Sequence, residues 1–131
     1  MKTSQERAEI AAEYKKSMNC CQAVVKAFAD TVSLDEQTLH QLGSGFGSGM
    51  GTMEATCGAL VGAGIIAGLR TKEGNAVRYT REIHNRFKTL CGATICKELK
   101  GIETGKVLCQ CENCVRNAVI AAEDVFSAAK I

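Results

Sequence analysis

No proline interrupts the 131 residues, and apolar residues recur at helical spacing in several separate segments while strand-like alternation is scarce. That combination predicts an all-α chain. Ser4 is a cap candidate for a first helix reaching about Lys16, and Asn19 for a second running through Ala29 with Val24, Val25 and Phe28 as its buried stripe. Ser33 followed by Glu36 matches a capping box, opening a third helix that ends near Leu42, where Gly43 supplies a stop. A fourth spans about Ala55 to Leu69 and carries Gly58, Gly62, Gly64 and Gly68, small positions that let a neighbouring backbone come close. A fifth runs from near Gly74 to Leu90, with Val77, Thr80, Ile83, Phe87 and Leu90 sharing one face. A short helix is expected over Ile95 to Leu99. The last, about Glu112 to Ala129, sets Val115, Ala118, Val119, Ala122, Val125 and Phe126 at i, i+3, i+4, i+7 spacing. The expectation is one domain over residues 1–131, a compact bundle of about five to seven helices around the glycine-rich fourth.

Sixteen Lys and Arg against fourteen Asp and Glu give a net charge of +2, interspersed rather than gathered into a basic stripe, which argues against a nucleic-acid partner. The most apolar segment, Cys57 to Leu69, is shorter than the roughly 20 residues a membrane span needs. The polar start, Met1 to Arg7, lacks the apolar core of a secretion signal, so a cytoplasmic location is expected. The small-residue faces leave homodimerisation open.

Eight cysteines exceed what a core of this size uses as small apolar filler. In a reducing compartment such a chain more often ligates metal or does redox work than carries permanent disulfides. Cys20, Cys57, Cys96 and Cys111 each fall at an expected helix start, where unpaired N–H groups stabilise a thiolate. Before the fourth helix, Gly43, Gly45, Gly47, Gly49 and Gly51 alternate with other residues, a pattern suited to tight or left-handed backbone. This run lacks the Gly-Lys-Ser/Thr end of a phosphate loop and the preceding strand of a dinucleotide fingerprint.

Asn19-Cys20-x-Gln22-Ala23-Val24, Gly45-Phe-Gly-Ser-Gly49-Met-Gly51, Cys57-Gly58-Ala59-x-x-Gly62-Ala63, Cys96-x-x-Leu99-x-Gly101 and Cys111-x-x-x-Val115, in this order, resemble the C_GCAxxG_C_C family of redox-active proteins. The resemblance covers nearly the whole chain. It implies a compact helical protein with redox chemistry at Cys20, Cys57, Cys96 and Cys111, and it names no substrate. Cys21, Cys91, Cys109 and Cys114 stand outside that pattern.

Of these, Cys109 and Cys114 pack with Cys111 into six residues, and Cys111 and Cys114 at i, i+3 share a helix face. A C-x-x-C pair forms a reversible disulfide with the thiol nearer the helix start as nucleophile, and the same spacing suits a metal. Cys91 and Cys96 frame a helix break that could turn both sulfurs to one site, with core filling an equal account of Cys91. His84, two turns before Cys91, is a conceivable ligand or proton donor but more commonly a core-edge residue; His40 is expected at the surface. Met50 and Met53 lie near Cys57 in the glycine loop, where gap filling outweighs ligation.

Two chemistries therefore stand open. In the first, Cys20, Cys57, Cys96 and Cys111 cycle between thiol and disulfide, with Cys114 or Cys91 as resolving partners and an unidentified redox partner. In the second, Cys20, Cys57, Cys96 and Cys111 hold an iron–sulfur cluster or a zinc ion. A helical interaction subunit with inert core cysteines is a further alternative.

Overall fold

The structure is a computed structural model and describes residues 2–131. Among these the chain forms seven α-helices and no strand: α1 Ser4–Tyr14, α2 Cys20–Ala27, α3 Glu36–Gly43, α4 Gly58–Arg70, α5 Val77–Cys91, α6 Cys96–Lys100 and α7 Cys111–Ala129. A 3₁₀ turn, Ala29–Thr31, follows α2.

Asn19 caps α2 as expected: its side chain accepts from Gln22 N–H at 2.8 Å and the Gln22 side chain accepts from Asn19 N–H at 3.2 Å. Two other caps differ from the expectation. Thr3, not Ser4, caps α1 in a capping box with Glu6, and Asp35, not Ser33, caps α3 by accepting from Thr38 N–H. In each case the true cap is a residue of the same chemical class one or two positions away, so the motif was present but its register was not fixed locally.

α4 packs against α2, α5 and α7, while α1 lies against α7 and α2. The glycines of α4 make the α2 contact this close. A Cβ on Gly62 would stand 2.8 Å from the Cys21 carbonyl oxygen, and one on Gly58 would stand 2.6 Å from the Phe46 carbonyl oxygen. The α7 stripe is buried throughout, and Phe126 meets Phe28 of α2 edge to face at 5.8 Å. In α5 the buried seam is narrower than the periodicity suggested, comprising Ile83, Phe87 and Cys91. Val77 and Leu90 are 69% and 51% exposed, lying off the i, i+4 seam that α4 and α7 cover.

Arg7 ties α1 to three other elements, α2, the 3₁₀ turn and α7. Its guanidinium is buried, donates to Asp30 and to the Ala27 carbonyl at 2.6 Å each, reaches Glu123 of α7 at 3.3 Å and lies over the Phe28 ring. Such a buried cation is tolerated because its donors are paired.

Candidate cysteine site

The four expected helix starts are helix starts. Cys20 is the first residue of α2, Cys96 of α6 and Cys111 of α7, and Cys57 is the residue that caps α4. Two of these starts are joined by an isolated antiparallel bridge between Thr56 and Ile95. Cys57 N–H donates to the Thr94 carbonyl at 2.8 Å and Cys96 N–H to the Ala55 carbonyl at 3.1 Å, so α4 and α6 leave one backbone clasp. The glycine run wraps the same end. Asn19 donates to the Gly43 carbonyl at 3.2 Å, and Gly47 sits so close to Asn19 that a Cβ there would stand 2.6 Å from the Asn19 Cβ.

Between Ser48 and Gly51 the backbone is left-handed at four successive residues, with φ of 52°, 58°, 59° and 80°. Two of these, Ser48 and Met50, are not glycine. Met50 points away from the cysteines and is 57% exposed, and neither Met50 nor Met53 lines their cavity.

That cavity, only about 10 Å³, is lined by Cys20, Cys57, Cys96, Cys109, Cys111 and Cys114, with Lys100 and Gly58 among its walls. The structure thus brings together all five cysteines singled out as candidate redox thiols and adds Cys109. All eight cysteines are free, and Cys111 is half-buried where the other seven are buried. Cys21 faces the α2–α4 contact, and burial pushes its thiol up to about 12, the behaviour of a core residue.

The thiols divide into donors and acceptors. The Cys20 thiol, donating to Cys111, holds Cys111 down at about 5 against burial, with Lys100 and Lys15 adding to the effect. Cys20 is in turn pushed far up, first by that hydrogen bond and then by burial. Cys57 is lowered by the Cys114 thiol and by the N–H groups of Ala59 and Leu60 in the first turn of α4, while Cys114, whose thiol donates to the Cys109 carbonyl at 3.6 Å, is pushed far up first by the neighbouring Cys57 and Cys91 sulfurs and then by burial. Burial raises Cys96. Helix starts alone therefore do not decide which thiol ionises: Cys57 and Cys111 go down, Cys20 and Cys96 go up.

A second grouping lies on the far side of Cys114. Cys91, at the end of α5, Cys109, in the loop before α7, and Cys114, in the first turn of α7, place their sulfurs within 4.8 Å of one another. Cys91 and Cys109 are 3.4 Å apart, and the Asn117 amide donates to Cys91 at 3.2 Å. The Cys114 thiol, with help from Asn117 and Cys109, lowers Cys91 to about 6, whereas burial raises Cys109 to about 11. These three could hold a metal ion. Cys91 and Cys96 thus belong to different groups, although only a short break separates them in sequence. His84 lies outside both, in a shallow groove with Leu60, Ile65 and Thr80, and His40 is exposed, its carbonyl accepting from Gln22.

A bundle end where cysteines from four helix starts share one small cavity defines a thiol-based centre, the class of protein to which redox chemistry and soft-metal ligation both belong. Residues 18–125 match the family model described as "Putative redox-active protein (C_GCAxxG_C_C)", and the chain belongs to that family. No curated protein and no solved structure matches the chain. No helix among the described residues is long and apolar enough to cross a membrane.

Proposed function

We propose that the chain is a thiol–disulfide redox protein in which Cys111 is the attacking thiolate and Cys20 the resolving thiol. The observation that carries this reading is the Cys20–Cys111 pair: a half-buried sulfur at the start of α7 that shares one cavity with Cys20 and Lys100, both of which favour its thiolate.

The Cys111 thiolate attacks one sulfur of a partner disulfide, forming a mixed disulfide and expelling the other sulfur as a thiolate. Cys111 thereby loses its negative charge. The interaction with that thiolate is the first cause of the raised Cys20 pKa, so its loss lets Cys20 give up its proton. The proton goes to the departing thiolate, and Cys20 attacks the Cys111 sulfur, releasing the second sulfur as a thiolate that takes its proton from water and leaving a Cys20–Cys111 disulfide. The partner gains two electrons and the protein loses two. Cys57, Cys96 and Cys114 line the same cavity and provide further thiols to which the disulfide can pass. A reducing compartment such as the cytoplasm would regenerate the dithiol.

A second reading rests on the convergence of Cys20, Cys57, Cys96 and Cys111 on one narrow cavity of about 10 Å³, whose walls would have to part to admit a cluster. Four thiolates suit an iron–sulfur cluster or, more tightly drawn together, zinc. Protein purified without oxygen distinguishes the two. Metal-free protein that reduces a small-molecule disulfide, with activity lost in Cys111→Ser and kept in Cys21→Ser, supports the thiol reading. Stoichiometric iron or zinc, lost with Cys20→Ser or Cys57→Ser, supports the second.

A further inference from the structure

We propose that Cys91, Cys109 and Cys114 form a three-coordinate site for a soft monovalent metal ion beside the redox cavity, whose wall Cys109 and Cys114 share, Cu(I) being the ion that its donor set fits. None of the three belongs to the Cys20–Cys111 pair, and all three lie outside the family's cysteine pattern.

The geometry is that of a ligand set rather than a packed core. With a metal–sulfur bond of about 2.3 Å, three sulfurs around one ion stand about 4 Å apart. Here all three lie within 4.8 Å of one another and one pair is at 3.4 Å, so small side-chain adjustments suffice. The three arrive from different elements and are each held. Cys91 is followed by Gly92, whose φ of +93° turns the chain out of α5. Cys109 N–H is tied to the Leu99 carbonyl at 3.2 Å, and Cys114 sits within the first turn of α7.

The surroundings select the ion. Cys91, Cys109 and Cys114 are 5%, 8% and 3% exposed, so little water is at hand to complete a coordination shell. No fourth His, Cys, Asp or Glu joins the group among the described residues. A structural zinc site wants four ligands, whereas thiolates select soft ions and Cu(I) accepts three. The Asn117 amide, donating to Cys91 at 3.2 Å and pointing at Cys109 from 4.0 Å, provides the N–H···S support that a buried anionic sulfur needs. Binding would release the remaining thiol protons, and because Cys109 and Cys114 also line the neighbouring cavity, metal occupancy would reshape its wall.

The test is an anaerobic Cu(I) titration of the reduced full-length protein against a chromophoric Cu(I) chelator, with Zn(II) titrated in parallel. The expected result is one tightly held Cu(I). Its affinity falls at least about 100-fold in Cys91→Ser/Cys109→Ser and is unchanged in Cys20→Ser/Cys111→Ser. Equal retention in the first variant, loss in the second, or Zn(II) held as tightly as Cu(I) overturns the proposal. X-ray absorption on the loaded wild-type protein needs no variant to fold: three sulfur neighbours support the site, and two or four contradict it. Disulfide reduction by the metal-free protein is read separately, so failure of the thiol reading and failure of this site are distinguishable.

Discussion

Gly49 lies against Cys96: a Cβ on Gly49 would stand 2.7 Å from the Cys96 Cβ, and the backbone there is left-handed, with φ of +58°. The glycine run is thus fitted to a cysteine as well as to its own turn. Gly49→Ala meets both penalties, a clash with a buried side chain and an unfavourable backbone region. It is expected to cost about 2–4 kcal/mol in urea denaturation and to displace Cys96 into faster alkylation.

The glycines of α4 separate into two kinds. Gly62 faces the Cys21 backbone, and its Cβ would meet the Cys21 carbonyl at 2.8 Å, whereas nothing lies within 4 Å of a Cβ on Gly68. Gly62→Ala should destabilise by about 1–3 kcal/mol. Gly68→Ala should stabilise by about 0.5–1 kcal/mol, since the helix gains propensity without a clash. Thermal and denaturant melts of the pair check both signs.

Met50 sits in a left-handed conformation with its side chain in solvent. Replacing it by glycine removes the Cβ strain while giving up little packing, so Met50→Gly should raise stability by about 1 kcal/mol. A midpoint that falls instead would mean that the turn is held by Met50 contacts.

How much of this was legible in the sequence depended on whether the signal was local. The Asn19 cap, the α7 stripe and the four helix-start cysteines rest on signals local to one helix, and these could be read directly. Ser33 against Asp35, and Ser4 against Thr3, offered equivalent cap chemistry at neighbouring positions, so the choice fell to backbone geometry. The exposure of Val77 and Leu90 depends on how wide a face of α5 its neighbours cover. The approach of Cys91 to Cys109 joins residues eighteen positions apart across α6 and a loop, which no periodicity reports. Nor could position alone show that Cys20 is pushed up while Cys111 is brought down, because each shift comes first from the other sulfur.

The pH dependence of Cys111 follows from that pairing. Its folded pKa of about 5 lies below the ordinary 9.0, so the thiol is protonated and slow below about pH 5 and is already thiolate at pH 7. Iodoacetamide labelling of Cys111 should rise with a midpoint near pH 5 and be flat from pH 7 to 8. In Cys20→Ala the proton donor is gone and the midpoint should move upward. Lys100→Met should move it the same way by less. An ordinary alkaline midpoint in the wild-type protein would remove the basis for Cys111 as nucleophile.

The central claim is that Cys111 and Cys20 are the first pair to exchange electrons with a partner. Reduced, metal-free protein is treated with a limiting amount of a small-molecule disulfide, quenched in acid, alkylated and mapped by non-reducing peptide mass spectrometry. The account predicts the Cys20–Cys111 disulfide as the first species to form, preceded by a mixed disulfide on Cys111. A first disulfide that excludes Cys111, or a Cys111 fully alkylated after the partner disulfide has been consumed, would contradict it.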